Sequence, residues 1–205
     1  MTDRMFPSTT RETHRERASL APDVDAAFWE FSGAVFAEGA LSEKTKQLMA
    51  VATAHVTQCP YCIRGHAGNA QDVGATREEV MEAIWVAAAL RADSTHTQTD
   101  HAFEELSAED RATMAPDTSD AFRTFTERIF DDGALSERTK RLLAVTVAHA
   151  LQCESCIADR ADHARDAGAT DAELMEAVWV AVEMQAGGAY AHAAIALDEM
   201  EDTDD

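Results

Sequence analysis

Apolar side chains recur three or four residues apart along most of the chain, which is the spacing of one face of an α-helix. The first such segment begins near residue 23, ends at Gly39 and carries four apolar residues on one face: Phe28, Phe31, Val35 and Phe36. No segment shows the strict alternation of apolar and polar residues that is typical of a β-strand. The pattern therefore predicts an all-α protein.

Start and stop signals divide the rest of the first half of the chain into further helices. Ser42 is a predicted N-cap for a second helix. A third helix is expected to start within residues 59–62 and to end at Gly74. Thr76 and Glu79 have the spacing of a capping box, which marks the start of a fourth helix. A fifth helix is expected to end near residue 106.

The second half of the chain repeats the first. The segment LSEKTKQLMAVATAHVTQCPYCI from Leu41 matches LSERTKRLLAVTVAHALQCESCI from Leu135. Further on, DVGATREEVMEAIWVA from Asp72 matches DAGATDAELMEAVWVA from Asp166, at the same offset of 94 residues. A constant offset of this length indicates internal duplication of a five-helix unit.

This repeat defines the expected domain organisation. We predict one copy at 23–106 and a second at 117–205, separated by a polar linker at 107–116. Residues 1–22 are charged and lack an apolar run, so we expect a mobile or loosely docked arm rather than a signal peptide or membrane anchor. A single copy is too small to bury its apolar faces well, so the two copies are expected to pack together.

The charge balance narrows the range of partners. The 205 residues include 38 acidic and 17 basic side chains, for a net charge of −21 at neutral pH. Such a surface repels nucleic acid and anionic membranes, so neither is an expected partner. Lysine is scarce and the self-repulsion of the acidic side chains is screened in concentrated salt, which indicates the cytoplasm of a halophile. An ordinary acidic bacterial protein is the alternative.

The candidate chemistry lies at two Cys-x-x-Cys motifs, one in each copy: Cys59 and Cys62, and Cys153 and Cys156. When the first cysteine of such a motif begins a helix, the two sulfur atoms can approach each other. The unpaired amides and the dipole at a helix N-terminus stabilise a thiolate. Pro60 suits the first helical turn. The spacing therefore favours a thiol of lowered pKa with a partner for a disulfide.

The two motifs differ in the residue one helical turn beyond the second cysteine. His66 lies four residues after Cys62 on the same helical face, where it can take the thiol proton. The corresponding residue in the second copy is Arg160, which cannot exchange a proton near neutral pH. His163 lies nearly two turns beyond Cys156 and is the alternative base there. We expect the second site to be weaker or inactive.

The run C-P-Y-C-I-R-G-H, preceded by a helix that opens with LSEKTKQL, resembles the carboxymuconolactone decarboxylase superfamily and its redox branch, the alkylhydroperoxidase AhpD group. The resemblance covers both copies. It implies an all-α fold and a cysteine-based peroxidase activity. It also implies self-association, since tandem members form trimers and single-copy members often form hexamers.

The resemblance also implies a role for each residue of the first motif. Cys62 corresponds to the thiolate that attacks the peroxide, Cys59 to the resolving thiol and His66 to the proton-relay histidine. The implied cycle passes through a sulfenic acid and a disulfide, which an external dithiol of the thioredoxin or lipoyl type reduces. No bound cofactor and no metal ion are implied.

The chain departs from the family pattern at one position. Members commonly carry a glutamate twelve residues before the first cysteine, where this chain has Gln47 in the first copy and Arg141 in the second. His55 and His149, four residues before the first cysteine of each motif, are candidates to replace that carboxylate. The alternative is that each is a core histidine hydrogen-bonded between helices.

Three other functions stay open at this level. A thiol–disulfide oxidoreductase acting on another protein would use the same cysteine pair. The founding branch of the superfamily decarboxylates a lactone and does not depend on a cysteine pair. Two Cys-x-x-Cys pairs could also supply four thiolates to a structural zinc ion, although their helical, apolar surroundings differ from zinc knuckles.

Overall fold

A computed structural model describes residues 6–7 and 9–201, and within these ranges the chain forms twelve helices and no strand. The helices of the first half are α1 Arg11–Leu20, α2 Pro22–Phe36, α3 Glu43–Thr57, α4 Pro60–Asp72, α5 Arg77–Thr97 and α6 Thr99–Ala102. Those of the second half are α7 Ala108–Met114, α8 Pro116–Ile129, α9 Glu137–Ala150, α10 Glu154–Asp166, α11 Asp171–Ala191 and α12 Ala193–Glu201. The prediction of an all-α fold is confirmed.

The helices begin at the residues whose side chains can cap them. The Ser42 hydroxyl accepts a hydrogen bond from the backbone N–H of Thr45 at the start of α3. Thr76 and Glu79 form a complete capping box at the start of α5, and the second copy repeats it at the start of α11. Because the capping residues recur at the same offset, equivalent helices start at equivalent positions in both copies.

The five predicted helices of each copy are α2–α6 and α8–α12, and a short helix precedes each set. Helix α1 lies in the segment predicted to be an arm, and α7 lies in the segment predicted to be a linker. The two helices correspond, since Arg17 and Arg111 occupy equivalent positions and each helix ends just before an Ala-Pro pair. Neither helix follows from the hydrophobic pattern, because both segments are polar and lack a helical apolar stripe. The unit that is duplicated therefore includes this leading helix.

Four long helices, two from each copy, form the centre of the molecule. Helix α3 packs against α5, α9 and α11, and α9 packs against α5 and α11. Their contact faces contain fully buried aliphatic side chains, among them Leu48, Met49, Leu90, Leu142, Leu143 and Met184. The cysteine helices α4 and α10 pack on α3 and α9 of their own copies. In the described part of the chain, no helix has the length and apolar character needed to cross a membrane.

The first long helix of each copy packs on the other copy. Helix α2 packs on α11 of the second copy, and α8 packs on α5 of the first. A pair of equivalent contacts holds this arrangement: Glu176 of α11 accepts hydrogen bonds from the N–H groups of Ala40 and Leu41 and forms an ion pair with Lys46. Glu82 of α5 makes the same set of contacts with the other copy, namely with Ala134, Leu135 and Lys140. Helix α4 also contacts α11 of the second copy, and α10 is joined to α5 of the first copy by an ion pair between Arg160 and Asp93.

Candidate active site

The first Cys-x-x-Cys motif forms a disulfide at the start of α4. Gln58 ends α3 in a left-handed conformation with φ of 57°, and this turn brings Cys59 to the N-cap position of α4. The Cys59 sulfur accepts a hydrogen bond from the N–H of Cys62 at 3.2 Å and is bonded to the Cys62 sulfur. Both sulfur atoms thus lie at the positive end of the helix, as the spacing predicts.

The two sulfur atoms differ in their access to a ligand. Cys59 is 1% exposed and Cys62 is 8% exposed. Cys62 lines a pocket of about 460 Å³, and Cys59 is not among the residues that line it. A small molecule that enters this pocket therefore meets the sulfur of Cys62 first.

His66 lines the same pocket, one turn beyond Cys62. Its Nδ1 lies 2.9 Å from Oε1 of Gln47, a neutral acceptor on α3. With the amide oxygen accepting, Nδ1 carries the hydrogen and Nε2 is the basic nitrogen. Burial lowers the pKa of His66 to about 4, so its imidazole is neutral near pH 7. The structure thus brings Cys62 and a neutral histidine base into one pocket, with Gln47 orienting the base.

The walls of the pocket come from both copies. Besides α4, the first copy contributes aromatic side chains of α2, including Phe28, Trp29 and Phe36. The second copy contributes residues of α11, including Glu183 and Tyr190. Because α2 packs on α11, side chains of both copies line this pocket, and a single copy could not form it.

Glu183 is the site residue that the sequence analysis missed. It is 4% exposed, and its Oε1 accepts a hydrogen bond of 2.8 Å from the Ser32 hydroxyl, while its Oε2 is buried without a hydrogen-bond partner. Burial raises the pKa of Glu183. One signal could have revealed it: an acidic residue stands in the apolar run VWVAVEM, where the first copy has Ala89.

The second motif also forms a disulfide, between Cys153 and Cys156 at the start of α10, but its surroundings differ. Arg160, in the place of His66, is paired with Asp93 of α5. The pocket equivalent to the first is smaller, about 230 Å³, and neither cysteine is among its lining residues. Ala89 stands in its wall where the first pocket has Glu183. This site therefore lacks a histidine at the position of His66 and a carboxyl group at the position of Glu183.

The other predicted histidines lie elsewhere. His55 and His149 each place Nδ1 2.8 Å from the backbone carbonyl oxygen four residues earlier, that of Val51 and of Val145. Neither histidine lines the Cys62 pocket, so the structure does not place His55 where it could replace the carboxylate. His163 lines the second pocket, with Nδ1 3.3 Å from a carboxylate oxygen of Asp159.

Comparison with known proteins agrees with the duplication and the fold. The profile of the carboxymuconolactone decarboxylase family matches the chain twice, over residues 22–105 and 116–199. A relative from Paracoccus denitrificans, "Uncharacterized protein 4 in cox locus", is 52% identical over 101 residues, which are 49% of this chain and 87% of the relative. A crystal structure from Burkholderia xenovorans, of a protein described as a candidate gamma-carboxymuconolactone decarboxylase subunit, superposes with a TM-score of 0.72.

That superposition covers 95% of this chain and 92% of the other at 18% identity, which supports the fold alone. The two profile matches begin at the prolines that open α2 and α8, so each covers one predicted five-helix unit. The resemblance predicted from the cysteine motif is confirmed: the chain belongs to the carboxymuconolactone decarboxylase family and carries two tandem copies of its unit.

Proposed function

We propose that this protein is a thiol-dependent peroxidase that reduces hydroperoxides through the Cys59–Cys62 pair. The observation that carries the proposal is the arrangement of the first pocket, where the sulfur of Cys62 lies at a helix N-terminus in the same pocket as the neutral base His66. The family includes both AhpD-like peroxidases and carboxymuconolactone decarboxylases. The disulfide-bonded pair supports the redox branch, because the lyase chemistry has no need of it.

The proposed cycle begins with the reduced pair. His66 accepts the proton of the Cys62 thiol at Nε2, and the thiolate attacks the O–O bond of a hydroperoxide. One oxygen stays on sulfur as a sulfenic acid, and the other leaves as an alcohol. The Cys59 thiol then condenses with the sulfenic acid, releasing water and forming the disulfide. An external dithiol reduces this bond and restores both thiols.

The burial of both sulfur atoms favours a small substrate over a folded protein. Cys62 is reached through a partly aromatic pocket, and Cys59 lies behind it. A hydroperoxide or a slender lipoyl-type dithiol can enter such a pocket more readily than a disulfide on the surface of a folded protein. Among the residues that the structure describes, no three His, Cys, Asp or Glu side chains are grouped so that they could share a metal ion.

Self-association in the cytoplasm is part of the same proposal. Four large apolar side chains are exposed at equivalent positions of the two long helices: Met81 and Trp85 on α5, and Met175 and Trp179 on α11. Contiguous exposed apolar residues mark contact surfaces. They support a homotrimer or another homo-oligomer. A reducing cytoplasm would supply the external dithiol.

The test follows hydroperoxide consumption by the full-length protein in concentrated salt with excess dithiol. We expect Cys62→Ser to abolish turnover, because it removes the attacking sulfur. Cys156→Ser is the matched control and should leave turnover within about twofold, because its copy has Arg160 at the position of His66. Equal losses from the two substitutions would contradict the proposal. A wild-type protein that reduces a protein disulfide but consumes no hydroperoxide would favour the thiol–disulfide oxidoreductase instead.

A further inference from the structure

The buried carboxyl group of Glu183 has no role in the cycle described above. It lines the pocket of Cys62 and His66, yet it belongs to the second copy of the repeat. A buried polar atom without a hydrogen-bond partner costs free energy, and Oε2 of Glu183 is such an atom. Since the equivalent residue of the first copy is Ala89, the fold itself does not require an acid at this position.

Two consecutive glycines of α11 lie at the pocket that Glu183 and Cys62 both line. A Cβ atom added to Gly188 would lie 4.0 Å from the Cys62 sulfur, and one added to Gly187 would lie 3.4 Å from Oε1 of Glu183. Helix α11 therefore packs against the Cys62 sulfur at Gly188, and Gly187 lies beside the Glu183 carboxyl group of its own helix. The first copy has Asp93 and Ser94 at the equivalent positions, and Asp93 is paired with Arg160 of α10.

We propose that Glu183 is the general acid of the Cys62 site, and that it protonates the oxygen that leaves when the Cys62 thiolate attacks an organic hydroperoxide. This inference rests on the proposed function and concerns the proton that its leaving group takes up. The second copy thereby completes the site of the first.

The hydrogen bonds of Glu183 suit this role. The Ser32 hydroxyl donates to Oε1 and fixes the orientation of the carboxyl group. Burial raises the pKa of Glu183, which favours the protonated form, and the hydrogen can reside on the unpartnered Oε2. His66 is on the same helix as the sulfur, whereas Glu183 is on a helix across the pocket. The base and the acid therefore approach the substrate from different walls.

Atoms and electrons balance in this step. The S–O bond forms and the O–O bond breaks, so sulfur is oxidised to the sulfenic acid and the peroxide is reduced to an alcohol. The thiol proton passes to Nε2 of His66, and the alkoxide takes the proton of Glu183. The proton held by His66 then returns to Glu183 through the solvent of the pocket.

The test compares two oxidants that differ in their leaving groups. Attack on tert-butyl hydroperoxide expels an alkoxide, which needs a proton, whereas attack on peracetic acid expels a carboxylate, which does not. Reduced full-length protein is mixed with each oxidant, and the remaining thiols are counted with time. We expect Glu183→Gln to slow the reaction with the alkyl hydroperoxide by about a hundredfold or more, the usual contribution of a general acid. The reaction with the peracid should change by less than about threefold, since no proton transfer to the leaving group is removed.

Two controls separate this role from a structural one. Alkylation of Cys62 by iodoacetamide should proceed at the wild-type rate in Glu183→Gln, because iodide leaves without a proton. Glu183→Ala reproduces the residue of the first copy and gives a second variant should the glutamine not be tolerated. If Glu183→Gln slowed the reactions with both oxidants equally, or slowed neither, the role of Glu183 as the general acid would be overturned. A wild-type protein that reacts with neither oxidant would instead overturn the peroxidase itself.

Discussion

A glutamate in place of Gln47 would change the protonation of His66 without changing the length of the side chain that holds it. Gln47 is 4% exposed, and its Oε1 lies 2.9 Å from Nδ1 of His66. In the present structure the acceptor is neutral and burial lowers the pKa of His66 to about 4. The substitution would place a negative charge against the imidazole.

The expected shift follows from the separation of the charges. Two unit charges about 4 Å apart interact by about 4 kcal/mol at an effective dielectric constant of about 20. Since one pKa unit corresponds to about 1.4 kcal/mol, the pKa of His66 should rise by about three units, from about 4 to about 7. This shift is an upper limit, because burial also disfavours the charged form of the new carboxylate.

The measurement is an NMR titration of the His66 ring proton at Cε1 in the reduced protein. Gln47→Met is the matched control, because it keeps the length of the side chain and removes the acceptor, so it should leave His66 titrating near pH 4. Gln47→Glu should also increase alkylation of Cys62 near pH 6, where an imidazolium would stabilise the thiolate. A pKa shift below about one unit in Gln47→Glu, or an equal shift in both variants, would refute the assignment of Gln47 as the hydrogen-bond partner of His66.

Two further predictions concern stability. Glu176→Ala should lower the free energy of unfolding by about 3–5 kcal/mol, because it leaves Lys46, which is 3% exposed, buried without its carboxylate. Urea unfolding in concentrated salt measures this loss of free energy. The equivalent substitution Glu82→Ala should cause a loss of the same size. A loss below about 1 kcal/mol in both variants would contradict the role of these contacts between the copies. The folded state should also lose about 3 kcal/mol between pH 7 and pH 4 through His66, because its pKa is about 4 when folded and 6.5 in its ordinary state. The stability falls with pH because the pKa of His66 is lower in the folded state, so the unfolded chain takes up the proton first. The contribution of neutral His66 to the free energy of unfolding is therefore complete above pH 6.5 and is lost as the pH falls towards 4. His66→Gln should remove this part of the pH dependence in the same urea assay. If the free energy of unfolding of the variant fell with pH as steeply as that of the wild type, His66 would not be buried in its neutral form.

Features that depend on neighbouring residues of one helix could be predicted from the sequence. The caps at Ser42 and Thr76, the start of α4 at the cysteine motif and the placement of Cys62 and His66 on one face all depend on spacings of three or four residues. The duplication was equally visible, because it is a property of the sequence itself. The segments of α1 and α7 were not predicted to be helical, since short polar helices depend on caps and on contacts with distant residues.

The composition of the site depended on contacts between helices that are far apart in the sequence. The acceptor of His66 is Gln47, a position at which the sequence shows only that the glutamate of the family is absent, and the buried acid is Glu183 of the other copy. His55 was the natural candidate by sequence distance, yet its imidazole is engaged with the carbonyl oxygen of Val51. Helical periodicity determines which side chains share a face, whereas the packing of α2 on α11 determines which faces meet. The sequence therefore determined the five helices of each copy and the cysteine–histidine pair, and only the tertiary structure decided which acid, hydrogen-bond acceptor and pocket walls surround that pair.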